Sequence, residues 1–268
     1  NPPSIICMSA AAHTQSGSYH MTSESCPDNG IKTITVGFNT RFEEVPNVAL
    51  AISGYDIVGS GFNDIKVTLI SVCHESFTFE VTCNSNIKSL DISWLATISH
   101  RSGIYIFRHT FPFSAMDPIN TAGAQTIHQS QPTGIKNPGA AVALAGWSFK
   151  DGNIPSLGVS ISNLQSEGYD LDFHKDAGSA SVSLVDVYVL HYEETATTHD
   201  TIYVGSTLDE ITQGTLEDVQ PVDERYVEPL TTWIGINSFH LSDVDEHKFS
   251  QSVDFESQEL RTIFSSSN

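Results

Sequence analysis

Basic side chains are scarce in this sequence. Its 268 residues contain 12 Lys and Arg against 32 Asp and Glu, a formal net charge of −20 with histidine neutral. A surface of that sign repels phosphate backbones and anionic lipid headgroups, so we expect neither nucleic acid nor an anionic membrane as a partner. No apolar run approaches the roughly 20 residues of a transmembrane helix, and we therefore expect no membrane insertion.

Motifs for catalysis and for metal binding are also missing. The sequence has no Gly-x-Ser-x-Gly element, no glycine-rich phosphate loop and no Cys-His signature. We therefore predict a protein without enzymatic activity, cofactor or metal. One acidic loop is a candidate for a cation, although its spacing is not that of an EF-hand. It contains Asp243, Asp245 and Glu246.

Cysteine is limited to four residues, all in the first third of the chain: Cys7, Cys26, Cys73 and Cys83. None of them has the spacing of metal ligands. An even number suits an extracellular or cell-surface protein with one or two disulfides, and buried free thiols are the alternative.

What the sequence does contain is a repeat. Three segments share a turn and then an apolar strand that ends in a small residue followed by an aromatic. These end pairs are Gly54-Tyr55, Gly146-Trp147 and Ser238-Phe239, and both intervals are 92 residues. Apolar residues within a copy alternate with period two, as in Phe77, Phe79 and Val81, and polar turns separate the runs. The pattern predicts an all-β fold of tandem six-stranded antiparallel β-sandwiches.

The repeat predicts units at residues 14–100, 101–198 and 199–268, the third lacking its last strand. Residues 1–13 hold a spare strand, Ile5–Ala11, that resembles the end of a preceding unit. The pairs Ser16-Gly17 and Ser102-Gly103 lie 86 residues apart, which aligns Ile6 with Ile92. Four explanations are open: a window from a longer array, closure of the chain on itself, donation of the strand to a neighbouring molecule, or a loose arm beside a degenerate third unit.

The acidic charge is concentrated at one end. Residues 199–268 carry 14 acidic and 3 basic side chains, more than half of the net charge. Such a block often marks a solvated tail. The repeat instead places Trp233, Ile234 and Ile236 in a core strand, so we predict a folded third unit with its acidic residues on the surface.

Several motifs of the first copy follow one another in a specific order. They are Thr14-Gln15-Ser16-Gly17, Val36-Gly37-Phe38-Asn39-Thr40-Arg41-Phe42, Val45-Pro46-Asn47-Val48, Val67-Thr68-Leu69-Ile70-Ser71-Val72, Ser76-Phe77-Thr78-Phe79 and Ile92-Ser93-Trp94-Leu95-Ala96. This order resembles the H-type lectin domain of snail agglutinins, discoidins and related fungal proteins. The resemblance implies a six-stranded antiparallel β-sandwich that binds galactose or N-acetylgalactosamine and usually assembles as a trimer. Three such units in one chain would imitate that trimer.

The resemblance also implies where a sugar would bind. The family's loop acid falls at Asp28 or Asn29, its central-strand arginine near Thr68 or Ser160, and its tyrosine near Lys88 or Ser181. Its Trp-His pair falls in residues 82–86 and 174–178, where polar residues stand instead. The candidate carbohydrate-binding residues are Asp28, Asn29, Thr68, Asn84, Asn86, Lys88, His174, Lys175 and Asp176.

Two functions follow. The first is binding of glycans or glycoproteins in an extracellular or cell-surface adhesion protein that self-associates. The alternative is a structural protein that assembles by strand exchange, head-to-tail or as a closed ring, and that kept the lectin fold without its sugar site. The replaced Trp-His pair favours the alternative, because a sugar site needs an apolar face for stacking.

Overall fold

The computed structural model describes residues 13–22, 30–58, 64–82, 86–150, 154–193, 214–221, 233–240, 246–256 and 259–267. These residues form antiparallel sheets with two short helical turns, which confirms the predicted all-β class. No helix in these ranges is long and apolar enough to cross a membrane.

The strands fall into three groups along the chain. The first group contains β1 (Thr14–Thr22), β2 (Ile31–Gly37), β3 (Asn47–Val58), β4 (Asp64–Val72), β5 (Ser76–Thr82) and β6 (Ile87–Thr97). The second contains β7 (Ile104–Pro112), β8 (Ala124–Ser130), β9 (Pro138–Lys150), β10 (Ser156–Gln165), β11 (Gly168–His174) and β12 (Ser181–Glu193). The third contains β13 (Gly214–Pro221), β14 (Ser238–His240), β15 (Glu246–Glu256) and β16 (Glu259–Ser267). The helical turns are α1 (Ser99–Ser102) and α2 (Pro118–Thr121).

The first two groups share one internal layout. In the first group, the sheets have the orders β1-β6-β3 and β2-β5-β4, and in the second they have the orders β7-β12-β9 and β8-β11-β10. Apolar faces of the two sheets meet inside each group. The ring centroids of Phe77 and Trp94 lie 5.3 Å apart in the first group, and those of Phe111 and Phe173 lie 5.1 Å apart in the second. Such aromatic pairs contribute about 0.5–1.5 kcal/mol beyond the burial of their area.

Each group is joined to the next by one antiparallel strand pair. These pairs are β4 with β9, β10 with β14, and β15 with β3. Their registers contain the residue pairs Ile65 with Trp147, Leu157 with Phe239, and Phe249 with Tyr55. Ile65, Leu157 and Phe249 follow one another at intervals of 92 residues, and so do Tyr55, Trp147 and Phe239. The three junctions therefore repeat one geometry, and the last closes the cycle between the third group and the first.

Equivalent residues of the three groups meet at the centre of this cycle. A Cβ built on Gly235 would lie 2.5 Å from Cβ of Ala143 and 2.6 Å from Cβ of Ala51. These three positions are 92 residues apart. One residue further along, the backbone N–H of Leu144 donates to the Ile236 carbonyl at 2.8 Å, and that of Ile236 donates to the Ile52 carbonyl at 2.9 Å. Positions 92 residues apart therefore meet around a common axis.

The small–aromatic pairs of the repeat were expected to end their strands, and this expectation is wrong. β3 continues to Val58 and β9 to Lys150, three residues beyond Tyr55 and Trp147. The physical reason is the junction, since strands of adjacent groups pair with these extensions. Gly146 is small because a Cβ there would lie 2.9 Å from the Ile65 carbonyl oxygen of β4.

The expected equivalence of Ser16-Gly17 with Ser102-Gly103 is also wrong. Gly17 lies inside β1 opposite Trp94, whose indole would be 2.7 Å from a Cβ at Gly17. Gly103 instead follows α1 in a left-handed conformation with φ 74°. The alignment of Ile6 with Ile92 that rested on this pair therefore has no structural basis.

Among the described residues there is one cysteine, Cys73, and its thiol is exposed and lies 3.3 Å from Ser76 Oγ. Cys7, Cys26 and Cys83 lie outside the described residues. The expected disulfides stay a prediction.

One buried and one half-buried histidine contact Tyr169 in the second group. His191 on β12 is fully buried, and its Nε2 has no hydrogen-bond partner in the described part of the chain. His109 Nε2 lies 2.7 Å from Tyr169 Oη. Burial lowers the pKa of both imidazoles. Because the unfolded chain then binds protons more readily than the folded one, stability falls as the pH drops below about 6.5.

Substitution of Gly235 by Ala tests the axis. The new methyl group would lie well inside the roughly 3.5–4.0 Å carbon–carbon contact distance, and overpacking of this kind costs about 1–3 kcal/mol of unfolding free energy. Urea unfolding measures the loss. Gly37→Ala is the matched control, because its Cβ would be 3.9 Å from its nearest neighbour, the Glu75 carbonyl oxygen. Adding Ala143→Gly to Gly235→Ala should recover only part of the stability, because the contact with Ala51 Cβ remains. Full stability of the single variant would contradict the contact.

Substitution of His191 by Phe tests the acid sensitivity. The variant has no imidazole to protonate at this buried position, so its unfolding free energy should decline less between about pH 6.5 and about pH 5 than that of the parent chain. Urea titrations at several pH values give the slope. His100→Gln removes a histidine from an exposed position of α1 and is the control for the loss of an imidazole as such. Equal slopes for His191→Phe and the parent would refute this origin of the pH dependence.

Candidate functional site

The lectin-like positions of the first group are divided between its two sheets. Thr68 is half-buried on β4, whereas Lys88 is exposed near the start of β6. Asn86 precedes β6, and its carbonyl accepts the Val58 N–H at 2.8 Å. Asp28, Asn29 and Asn84 lie outside the described residues. The structure thus gives Asn86 a role in holding the β5–β6 connection to the end of β3.

The corresponding loop of the second group contains three predicted residues that are consecutive in the chain and contact different partners. Lys175 Nζ donates to the Ser179 carbonyl at 3.0 Å, and Ser156 Oγ donates to Asp176 Oδ2 at 2.8 Å. His174 covers Gly158, where a Cβ would lie 2.1 Å from the imidazole Nε2. The contacts of Lys175 and Asp176 build the turn between β11 and β12. These polar groups therefore have a structural role whether or not a ligand binds.

The acidic loop of the third group was considered as a cation site. Asp243 and Asp245 lie outside the described residues, and the side chain of Glu246 does too, although its backbone belongs to β15. No group of three or more His, Cys, Asp or Glu side chains that would hold a metal ion occurs in the described ranges.

A groove lies where the first group passes into the second. Its volume is about 400 Å³, within the range of small-molecule sites. Three chain segments form it: the turn before β3, the turn at α1, and the first half of β7. The lining residues are Glu44, Val45, Asn47, Ile98, Ser99, His100, Tyr105, Ile106 and Phe107. It lies at the end of the sandwich where β6 finishes, whereas the β5–β6 loop is at the opposite end.

Polar contacts fix one wall of the groove. Arg101 Nη2 donates to Glu44 Oε1 at 3.1 Å, and its Nη1 donates to Glu43 at 2.8 Å. His100 Nε2 lies 3.4 Å from the same Glu44 oxygen. Asn47 Nδ2 donates to Ser99 Oγ at 3.0 Å. A carboxylate, an amide and an imidazole are thereby held along a single rim, each able to hydrogen-bond a ligand hydroxyl.

Aromatic side chains form the other wall. Tyr105 and Phe107 lie two residues apart on β7, so they share a face of the strand. Among the described strands, β7 is the last of its sheet and pairs with β12 on one side. Both rings are half-buried at this margin of the sandwich. Sequence reasoning missed this wall because two of its polar partners, Glu44 and Asn47, come from more than 50 residues earlier in the chain.

Comparison with known proteins bears on the first group. Residues 33–97 match the H-type lectin domain. The match runs from within β2 to the end of β6 and includes Thr68, Asn86, Lys88 and Asn47. No curated protein and no solved structure matches the chain. The match indicates carbohydrate binding in general for this part of the chain.

Substitution of Ser156 by Ala tests the structural role of the β11–β12 turn. Ser156 is buried, and its hydroxyl also lies 3.3 Å from the Asp176 N–H. Losing both contacts should cost about 1–3 kcal/mol of unfolding free energy, measured by urea unfolding. Ser160→Ala, on the exposed part of the same strand, is the control and should change little. Unaltered stability of Ser156→Ala would show that the turn does not depend on this bond.

Proposed function

We propose that this protein is a non-catalytic glycan-binding protein of the galactose or N-acetylgalactosamine type. The observation that carries the proposal is the match of residues 33–97 to the H-type lectin domain. Proteins of that kind bind sugars without transforming them, which accords with the missing catalytic motifs. Glycans or glycoproteins are the proposed partners, and an extracellular or cell-surface adhesion role is the proposed setting.

We further propose that the chain is a single-chain ring of three lectin-like units. Support comes from the shared layout of the first two groups and from the three junctions with one register. A ring presents its units at fixed separations, so weak sites for one sugar would act together on a multivalent surface. This gain in avidity does not require any single site to bind its sugar tightly.

The groove beside β7 is the proposed sugar position in the described part of the chain. A pyranose has an apolar C–H face and a rim of hydroxyls. Tyr105 offers a ring for that face, and Glu44, Asn47 and His100 offer hydrogen-bonding groups for the hydroxyls. This arrangement supplies the aromatic wall that the predicted site residues lack.

Self-assembly without sugar binding is the second candidate function. Lys175 and Asp176 favour it, because both use their polar groups within their own turn. On this alternative the lectin fold would serve only as a building block. Glycan binding distinguishes the two functions, since a purely structural protein should bind no sugar.

A glycan array followed by titration of the best ligand tests the proposed function. We expect binding to galactose-type glycans and an approximately tenfold weaker affinity for Tyr105→Ala, equivalent to about 1.4 kcal/mol. Tyr105→Phe keeps the ring and should bind like the parent chain. Lys88→Ala is the matched test of the lectin-like position. If Lys88→Ala weakens binding and Tyr105→Ala does not, the sugar binds at the lectin-like position and not in the groove. If no galactose-type glycan binds, the proposed function is rejected.

A further inference from the structure

The three junctions have the same kind of residue at the middle position of their registers. Both paired strands carry a large apolar residue there. The pairs are Ile65 with Trp147, Leu157 with Phe239, and Phe249 with Tyr55. Burial of apolar area is non-directional, so this position stabilises a junction without determining which strand pairs with β3. β4, β10 and β15 all carry a suitable residue, and β4 of a second molecule on β3 would link two molecules.

The adjacent register position differs between the junctions. It contains the pairs Asp64 with Ser148, Ser156 with His240, and Lys248 with Asp56. Asp64, Ser156 and Lys248 follow one another at intervals of 92 residues, so they occupy equivalent places on β4, β10 and β15. These places carry an anion, a neutral hydroxyl and a cation. The charge at this position therefore distinguishes the three strands.

Asp56 on β3 is the residue that responds to this difference. Its side chain is 17% exposed, and its Oδ2 lies 3.8 Å from Lys248 Nζ. Its Oδ1 is buried and has no hydrogen-bond partner in the described part of the chain. A mostly buried carboxylate is costly without a nearby cation, so β3 favours a strand that places a positive charge opposite Asp56. Lys248 is 56% exposed and can face Asp56 while its ammonium stays hydrated.

Asp64 on β4 would have the opposite effect at this place. In its own junction Asp64 is exposed, and the Ser148 hydroxyl donates a hydrogen bond to it. In a junction between the first groups of two molecules, β4 would pair with β3 and Asp64 would lie opposite Asp56. Like charges directly opposite each other in an antiparallel pair are destabilising. The first group is therefore a poor partner for a second copy of itself.

We propose that the Asp56–Lys248 pair selects β15, rather than β4 or β10, as the partner of β3. Specificity is a difference between the right and the wrong partner, so the pair can select without contributing most of the stability of the junction. Between its own β15 and that of another molecule, tethering favours the strand of the same chain. This inference rests on the three junctions and does not depend on sugar binding.

Substitutions that give position 248 the residues of its equivalents test the selection in the full chain. Lys248→Ser introduces the residue of β10, and Lys248→Asp that of β4. We expect the melting temperature to fall in the order parent, Lys248→Ser, Lys248→Asp, by about 2–4 °C at each step. Lys248→Met keeps an unbranched apolar side chain without the charge and should melt below the parent. A Met variant as stable as the parent, or equal melting temperatures throughout, would overturn the proposal.

The same substitutions in an Asp56→Ser chain provide the matched control. Ser is the residue that the second group carries at the equivalent place, Ser148. Without the carboxylate on β3, adding Lys248→Ser or Lys248→Asp should leave the melting temperature of the Asp56→Ser chain unchanged. A difference that persists in this background would show that the selection does not act through Asp56, and would overturn the proposal.

Two further measurements separate the junction from general charge effects. Reversal of an exposed ion pair by Arg41→Asp should change the melting temperature less than Lys248→Asp, because Arg41 and Glu75 are 67% and 74% exposed. Hydrogen–deuterium exchange of residues 246–249 should be faster in Lys248→Asp than in the parent, whereas residues 64–66 at the first junction should be unaffected. Equal protection of residues 246–249 in the two chains would contradict a role at this junction.

Discussion

The close approach of Ala51, Ala143 and Gly235 is the constraint on which the rest of the structure depends. At a distance of 2.5–2.6 Å from the two alanine methyl groups, a third methyl has no room. The backbones can therefore come near enough for Leu144 to bond Ile236 and for Ile236 to bond Ile52. That separation sets where β4, β10 and β15 meet their partner strands. The common register of the three junctions is a consequence of packing at the axis.

The interval of 92 residues in the sequence recurs in the strand registers, for a physical reason. A one-residue slip in a strand exchanges its buried and exposed faces, so the pairing partners of Trp147, Phe239 and Tyr55 must keep their spacing. Loops accept insertions freely, so residues in loops do not keep this spacing. Comparing loop residues by spacing gave a wrong equivalence. Ser16-Gly17 and Ser102-Gly103 look alike, yet one is covered by Trp94 within a strand and the other ends a helical turn. A glycine can be required by close packing or by a left-handed backbone conformation. A dipeptide alone does not show which of the two applies.

The candidate site was less predictable than the fold. Positions carried over by resemblance, such as Lys175 and Asp176, proved to be parts of a folded turn. The groove joins Glu44 and Asn47 to Tyr105, and no local pattern connects residues so far apart in the chain. Their proximity depends on the path from β6 through α1 to β7. This path crosses from the first group to the second, so it can be seen only in the folded structure and not in the sequence.

A single chain permits differences that an assembly of identical subunits would not. With identical subunits, the axis would carry three alanines or three glycines, whereas here one glycine relieves the crowding of two alanines. The groups differ elsewhere too: Asp91 and Asp186 lie opposite Gly54 and Gly146, their equivalents in β3 and β9. Asp91 contacts His20 near the surface, whereas Asp186 is fully buried against Arg108 at 2.8 Å. A buried carboxylate is stable only with such a partner, so in the second group the same aspartate requires the charge of Arg108 beside it. Freed from symmetry, each group can therefore lose or gain a ligand site independently while the shared axis holds them in place.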